Sequence, residues 1–275
     1  MVSDLICRCY PGGAKKAFNV TYDDGVTQDV RFVELLDRYG LKGTFNLNSQ
    51  LMEEGFQWRH ECGMTVKRLS PEEALVVYGE HEIASHTLTH PYMRGKTEKE
   101  LLWEMGEDKR RLEQLFGREV AGFAVPFHYY SQQIASVARK CGFSYGRCSE
   151  ESMDYSSFKD AFRWETGIFH LSPALDDFVD GFFSTDQEMA LCQIIGHSYD
   201  LDVERMWDKM ESIFRRVSSD RDIVPMTHIQ LVRYLEAMAF TSFWDGHIEN
   251  RSQEDLWFRV GGEPILVKSG ERVHI

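Results

Sequence analysis

The sequence predicts a parallel α/β fold in one large domain, followed by a short β-rich tail. Three observations carry that expectation. Short apolar runs alternate with stretches whose apolar residues recur at helical spacing, the pattern of strands linked by crossover helices. Helix starts and stops are marked by capping residues and glycines. The chain has 275 residues, of which 43% are hydrophobic and 27% charged, enough for a real core and inconsistent with disorder.

The elements follow in order. Ala17-Phe18-Asn19-Val20-Thr21-Tyr22 reads as a buried strand ending at the polar turn Asp23-Asp24-Gly25. Residues 27–39 carry apolar positions at helical spacing, and Gly40 supplies a stop. Residues 42–47 form a second strand. Ser70 before Pro71 is an N-cap for the next helix, and residues 81–86 are a further strand. The strongest helix covers 97–116, where Thr97 and Glu100 form a capping box and Gly117 ends the run. A short strand at 122–126, a helix over 131–141 stopped by Gly142, a strand around 191–195 and helices over 203–217 and 228–238 complete the body. Beyond 240 the pattern turns to short alternating pieces, such as 256–260 and 264–267. The expected division is a body over 1–240 and a β extension, packed on it, over 241–275.

Composition narrows the partners. With 31 Lys+Arg against 44 Asp+Glu the net charge is −13, which opposes general binding to nucleic acid or an anionic membrane. Neutral or cationic ligands are the easier partners. No apolar run reaches the roughly 18–20 residues that span a bilayer, and MVSDLICRCY lacks the basic start and apolar centre of a secretory signal. Cys7, Cys9, Cys62, Cys141, Cys148 and Cys192 are scattered and form no CxxC pair, so they read as reduced thiols in a cytoplasmic protein. The oligomeric state is left open.

Three constellations can carry chemistry. Asp23-Asp24 closes the first strand, where an adjacent carboxylate pair can serve a cation with one member and a proton with the other; Asp-Asp-Gly is also an ordinary turn. His86 and His90, four apart, fall on the same side of one helical turn, near enough to share a cation, though loop histidines share that spacing. His81-Glu82 with His86 is one residue too long for a zinc-protease HExxH, so that reading fails. His197, after the apolar run Ile194-Ile195-Gly196, has the intrinsic proton affinity of a general acid, or else is a structural histidine.

Taken in order, these sites resemble the polysaccharide deacetylase family, the enzymes sharing the NodB homology domain (carbohydrate esterase family 4). The family's T-F-D-D-G motif is similar to Thr21-Tyr22-Asp23-Asp24-Gly25, and its H-[ST]-x-x-[HD] motif to His86-Thr87-Leu88-Thr89-His90 after Glu82-Ile83-Ala84-Ser85. Gly43-Thr44-Phe45, Leu112-Glu113 with Phe116-Gly117, and the late Gly196-His197-Ser198-Tyr199 also match, so the resemblance covers residues 14–238. It implies a distorted (β/α) barrel of the NodB type, an incomplete TIM-like barrel, carrying the small C-terminal β appendage. It implies Asp23 as catalytic base, Asp24, His86 and His90 as ligands of one divalent metal ion, and His197 as catalytic acid. Zinc is the first expectation, with cobalt, nickel, manganese or iron as alternatives. Pro126, Phe127, His128 and Tyr199 are the expected substrate contacts, and Tyr129-Tyr130 and Phe182-Phe183 are sugar-stacking or core aromatics.

One departure stands out. The family's third motif, R-x-P-[YF], is here Ala124-Val125-Pro126-Phe127, without the arginine that orients the catalytic Asp. His128 is the nearest substitute in sequence, while Asp154 and Trp164 are the nearest candidates for the pair that props the late histidine. The implied activity is hydrolysis of a non-peptide C–N bond, removing an acetyl group from a neutral N-acetylated sugar or polysaccharide. The rivals are hydrolysis of a small ureide or amide on the same fold, and a carbohydrate-binding homologue impaired in catalysis.

Overall fold

Behind a short first strand, β1 (Ile6–Cys9), the chain enters its longest one, β2 (Lys16–Asp23), all eight residues of which are buried. The structure is a computed structural model that describes residues 6–148, 151–156, 160–164 and 167–275. Burial on both faces is what a parallel strand between helices and a filled interior requires. Phe18, Val20 and Tyr22 enter the main core, where Tyr22 stacks on Phe32 at 3.9 Å. Phe32 belongs to α1 (Asp29–Arg38), which runs back to β3 (Gly43–Leu47). A short helix, α2 (Ser49–Glu53), and the hairpin β4 (Gln57–Arg59) and β5 (Thr65–Lys67) then interrupt the alternation. It resumes with α3 (Pro71–Tyr78), β6 (Glu82–Ser85), α4 (Glu98–Phe116), β7 (Gly122–Ala124), α5 (Gln132–Lys140) and β8 (Tyr145–Arg147). Both predicted capping boxes are made, Ser70 with Glu73 and Thr97 with Glu100.

Next come β9 (Ile168–Phe169), α6 (Leu175–Ser184), β10 (Ala190–Gly196), α7 (Ser198–Val203), α8 (Trp207–Ser219), β11 (Ile223–Pro225) and α9 (His228–Met238). The helix expected over 203–217 is α8, which begins only at Trp207, and a separate short helix, α7, precedes it. The chain turns at Arg205, whose φ of 56° is left-handed and cannot continue α7.

The central sheet has eight strands in the order β8-β7-β6-β3-β2-β10-β9, with β11 also on β2, and its pairings are parallel. β7, β6 and β3 lie between β8 and β2, yet Arg147 on β8 hydrogen bonds to Asp23 on β2. Only a sheet curled into a distorted, incomplete (β/α) barrel brings those two strand ends together. The interior face carries Asn19, Thr21, Thr44, Asn46, Gln193 and Arg147, all buried and polar.

The tail comprises β12 (Thr241–Trp244), β13 (His247–Asn250), β14 (Leu256–Val260), β15 (Glu263–Val267) and β16 (Arg272–His274). It forms two antiparallel sheets, β12-β13-β16 and β1-β14-β15, so the N-terminal strand shares a sheet with the C-terminal segment. Leu256, Phe258 and Val267 pack with Leu231 and Tyr234 of α9, and the Tyr234 hydroxyl donates to the Cys9 carbonyl at 2.7 Å. No described helix is long and apolar enough to cross a membrane.

Candidate active site

Asp23 ends β2 and Asp24 follows with φ 87°, so the two neighbouring carboxylates diverge. Gly25 continues the turn at φ 62°, where an added Cβ would lie 2.8 Å from Leu47 Cδ2. Asp23 Oδ1 accepts from Asn46 Nδ2 at 2.7 Å and from the guanidinium of Arg147. Burial opposes a charge on Asp23, but Arg147, with His86 and His197, outweighs it and keeps the acid below the usual carboxylate range. Asp24 is likewise buried and held well below that range, chiefly by Arg68, whose Nη1 is 2.9 Å from Oδ1 and donates to the Asp24 carbonyl.

His86 and His90 follow β6 on a loop rather than on the helical turn their spacing suggested. Thr87 at φ 69° and His90 at φ 53° are left-handed, which breaks any helix and folds both rings over the same point. Asn48 Nδ2 clamps the loop by donating to the carbonyls of His86 at 2.5 Å and Thr87 at 2.8 Å. From α4, Glu104 accepts from the Thr89 amide and hydroxyl, while Asp108 accepts from the Ser85 and Ser49 hydroxyls.

His86 Nδ1 lies 3.0 Å from the Ala124 carbonyl, which can only accept, so the ring proton sits there and Nε2 presents its lone pair. Burial pushes the His86 pKa down to about 4, leaving the ring neutral at neutral pH. His90 Nε2 is 3.6 Å and His86 Nε2 3.9 Å from Asp24 Oδ1. One donor atom from each of Asp24, His86 and His90 falls within 4.8 Å of the others. Oδ1 of Asp24 is buried and accepts no hydrogen bond among the described residues. A neutral imidazole pair facing a buried carboxylate fits a divalent cation, with coordination positions to spare.

His197 follows β10 and caps α7. Its Nδ1 is 3.1 Å from Asp200 Oδ2, and Nε2 is 4.0 Å from Asp24 Oδ2. Burial disfavours the charged ring, but the Asp200 hydrogen bond and the Asp24 and Asp23 carboxylates prevail and lift its pKa to about 9. Asp200 is therefore the support that sequence placed at Asp154 or Trp164. Asp154 instead accepts from Ser156, and Trp164 packs edge-on against His228 at 4.0 Å. Behind Asp200, at 3.5 Å, lies buried His170, itself bonded to the Tyr22 hydroxyl at 2.7 Å. Gly196 makes room for it, since a Cβ there would meet His170 Nδ1 at 2.1 Å.

The expected substrate contacts divide. Tyr199 stacks on His197 at 5.1 Å and meets Trp58 edge-on at 5.4 Å, forming one wall with the β4–β5 hairpin. Phe127 is 55% exposed and edge-on to His90 at 4.7 Å, with Tyr92 beside it at 5.9 Å. Pro126 is buried and turns the chain. His128 lines a cavity of about 230 Å³ with Glu151, Phe169 and Ile195, but makes no hydrogen bond to Asp23 among those described. Burial and then Arg147 lower its proton affinity, so it is no substitute cation. Phe182 is a fully buried core residue.

Sequence reasoning missed Arg147, Asn46, Arg68, Asp200, His170 and Trp58. Asp200 had a usable signal, three residues beyond His197 in the first turn of a helix; the others come from distant elements with no local motif.

The family model described as polysaccharide deacetylase matches residues 11–146. YxkH of Bacillus subtilis, assigned as a polysaccharide deacetylase, is 25% identical over 140 residues, which are 50% of this chain and 46% of that protein. The chain therefore matches less than half the length of that relative. A Mycobacterium smegmatis structure with the same assignment superposes with a TM-score of 0.60 at 13% identity, covering 87% of this chain and 97% of the other. A family 4 carbohydrate esterase from Streptomyces lividans, in complex with acetate, gives 0.51 at 14%, covering 77% and 92%. BA3943 of Bacillus anthracis, a pseudoenzyme of that family, gives 0.54 at 16%, covering 82% and 68%. At these identities the structural likeness is one of fold.

Proposed function

Because the chain belongs to the polysaccharide deacetylase family, we propose that it is a metal-dependent hydrolase removing the acetyl group of an N-acetylated sugar or polysaccharide. One observation carries the reading: an acidified carboxylate, Asp23, and a protonation-prone imidazole, His197, both lie within 4.0 Å of the Asp24–His86–His90 cluster. A divalent ion bound there supplies Lewis-acid polarisation and a more acidic water.

Asp23, oriented by Asn46 and Arg147, takes the proton of the attacking water. His197, charged through Asp200, gives its proton to the departing nitrogen, so acetate and an amine leave. Two nitrogens and one oxygen suit zinc, with cobalt, nickel, manganese and iron as alternatives. The flanking aromatics, Trp58 with Tyr199 and Tyr92 with Phe127, favour a sugar over a small ureide. The net charge of −13 suits a neutral substrate and a cationic amine product. Six scattered cysteines with no CxxC pair are compatible with a cytoplasmic protein.

The test is a panel of N-acetylglucosamine, N-acetylated chitin oligosaccharides, acetylated xylan and allantoin, assayed for acetate and for allantoate with each metal and with a chelator. Acetate release from a sugar, abolished by chelation, is expected. Ring opening of allantoin to allantoate with no acetate from any sugar would move the protein to ureide hydrolysis, and metal binding without turnover would mark an impaired carbohydrate-binding homologue.

A further inference from the structure

We propose that Arg147 is the positioning residue for Asp23, delivered from β8 to the place that related sequences fill with an arginine at the Ala124 position, so that Ala124 and Arg147 are a compensated pair. The inference rests on the deacetylase reading for its chemistry and on strand register for its geometry.

Ala124 on β7 and Arg147 on β8 are cross-strand partners in a parallel pair. Register partners point to the same face, here the barrel interior, and neighbouring strands lie about 4.8 Å apart. An arginine side chain spans such an offset, so one guanidinium position is reachable from either strand. Both residues have no solvent exposure, and a second long side chain at 124 would share the space Arg147 crosses. The guanidinium hydrogen bonds to Asp23 Oδ1, the oxygen that Asn46 also holds. Asp23 is 6% exposed, so its charge needs a paired cation. The other buried guanidinium at this end of the barrel, Arg68, is engaged by Asp24.

The register itself is pinned. The Val125 amide donates to the Arg147 carbonyl at 3.1 Å, and the Ala124 carbonyl faces His86 Nδ1 at 3.0 Å. One strand pair therefore sets both a candidate metal ligand and the base. Alanine at 124 is on this account a relocation of the cation, and the site keeps its catalytic competence.

Arg147→Ala, Arg147→Lys and the relocated double variant Ala124→Arg/Arg147→Ala, all zinc-loaded, would be compared with the parent on p-nitrophenyl acetate and tetra-N-acetylchitotetraose. Arg147→Ala should lose about 10- to 100-fold in kcat, with zinc content and KM within about twofold. The double variant, or guanidinium ion added to Arg147→Ala, should recover a large part of that loss, which repair of a merely structural defect would not achieve. Unchanged kcat in Arg147→Ala, or a folded, zinc-loaded double variant no better than the single one, would overturn the pairing. If the parent turns over neither probe, the deacetylase reading fails separately. Crystal structures of parent and Arg147→Ala then decide this inference: a displaced Asp23 carboxylate supports it, and an unmoved one refutes it.

Discussion

At His197 two opposed effects set the charge of the ring. Burial favours the neutral form, while the Asp200 hydrogen bond and the Asp24 and Asp23 carboxylates favour the charged one and raise the pKa from 6.5 to about 9. A raised folded-state pKa stabilises the metal-free protein fully below the unfolded value of 6.5, and that contribution fades as pH rises through about 9. Asp200→Asn should therefore lower the thermal midpoint of the metal-free protein by about 2–4 °C near pH 6, by progressively less as pH rises from 6.5 to about 9, and by almost nothing beyond. For the proposed hydrolase activity, the same change should move the alkaline limb of the kcat profile to lower pH. A midpoint difference that does not vary with pH would sink this assignment. That Asp23, Asp24, His86, His90 and His197 share one site was legible because each sits in a short, ordered motif. Arg147 was not, because it reaches Asp23 only when the sheet curls. Asp200 lay in plain view three residues from His197, but nothing in sequence ranked it above Asp154.

The histidine loop draws its shape from elements on either side of it. Two left-handed residues, Thr87 and His90, are held in place by Asn48 from the end of β3 and by Glu104 and Asp108 from α4. The α4 helix was predictable to its caps, since Thr97, Glu100 and Gly117 mark its limits. Its inward-facing acids were not, because a helical pattern assigns carboxylates to the solvent side. Burial outweighs the hydrogen bonds from the Ser49 and Ser85 hydroxyls and lifts the Asp108 pKa to about 6, in keeping with a bracing role. Glu104→Ala leaves the Thr89 amide and hydroxyl without their acceptor. It should cost about 1–3 kcal/mol of stability and weaken zinc affinity about 10- to 100-fold, measured by denaturant unfolding and by calorimetric titration. Unaltered zinc affinity in a destabilised variant would confine Glu104 to the fold. The three-residue strands β7, β8 and β11 are too short to show a period, so sequence gave the first only in outline and missed the other two.

Across the whole molecule, the parallel strands converge at their C-terminal ends, where Asp23, Ser85, Ala124, Arg147 and Gly196 stand next to the chemistry or supply it. That convergence is why a site assembled from residues 23 to 200 could be anticipated from scattered motifs, whereas its aromatic walls could not. Trp58 comes from a hairpin inserted between β3 and β6, and only the folded chain sets it against Tyr199. The central claim is that Asp23 moves a proton while Asp24, His86 and His90 hold the metal. The direct measurement is acetate release from an N-acetylated chitin oligosaccharide alongside zinc content, for the parent, Asp23→Asn and His90→Ala. The account predicts that Asp23→Asn binds zinc like the parent but loses at least about 10³-fold in kcat, and that His90→Ala loses zinc and activity together. Parent-like turnover by Asp23→Asn, or full zinc occupancy in His90→Ala, would contradict it.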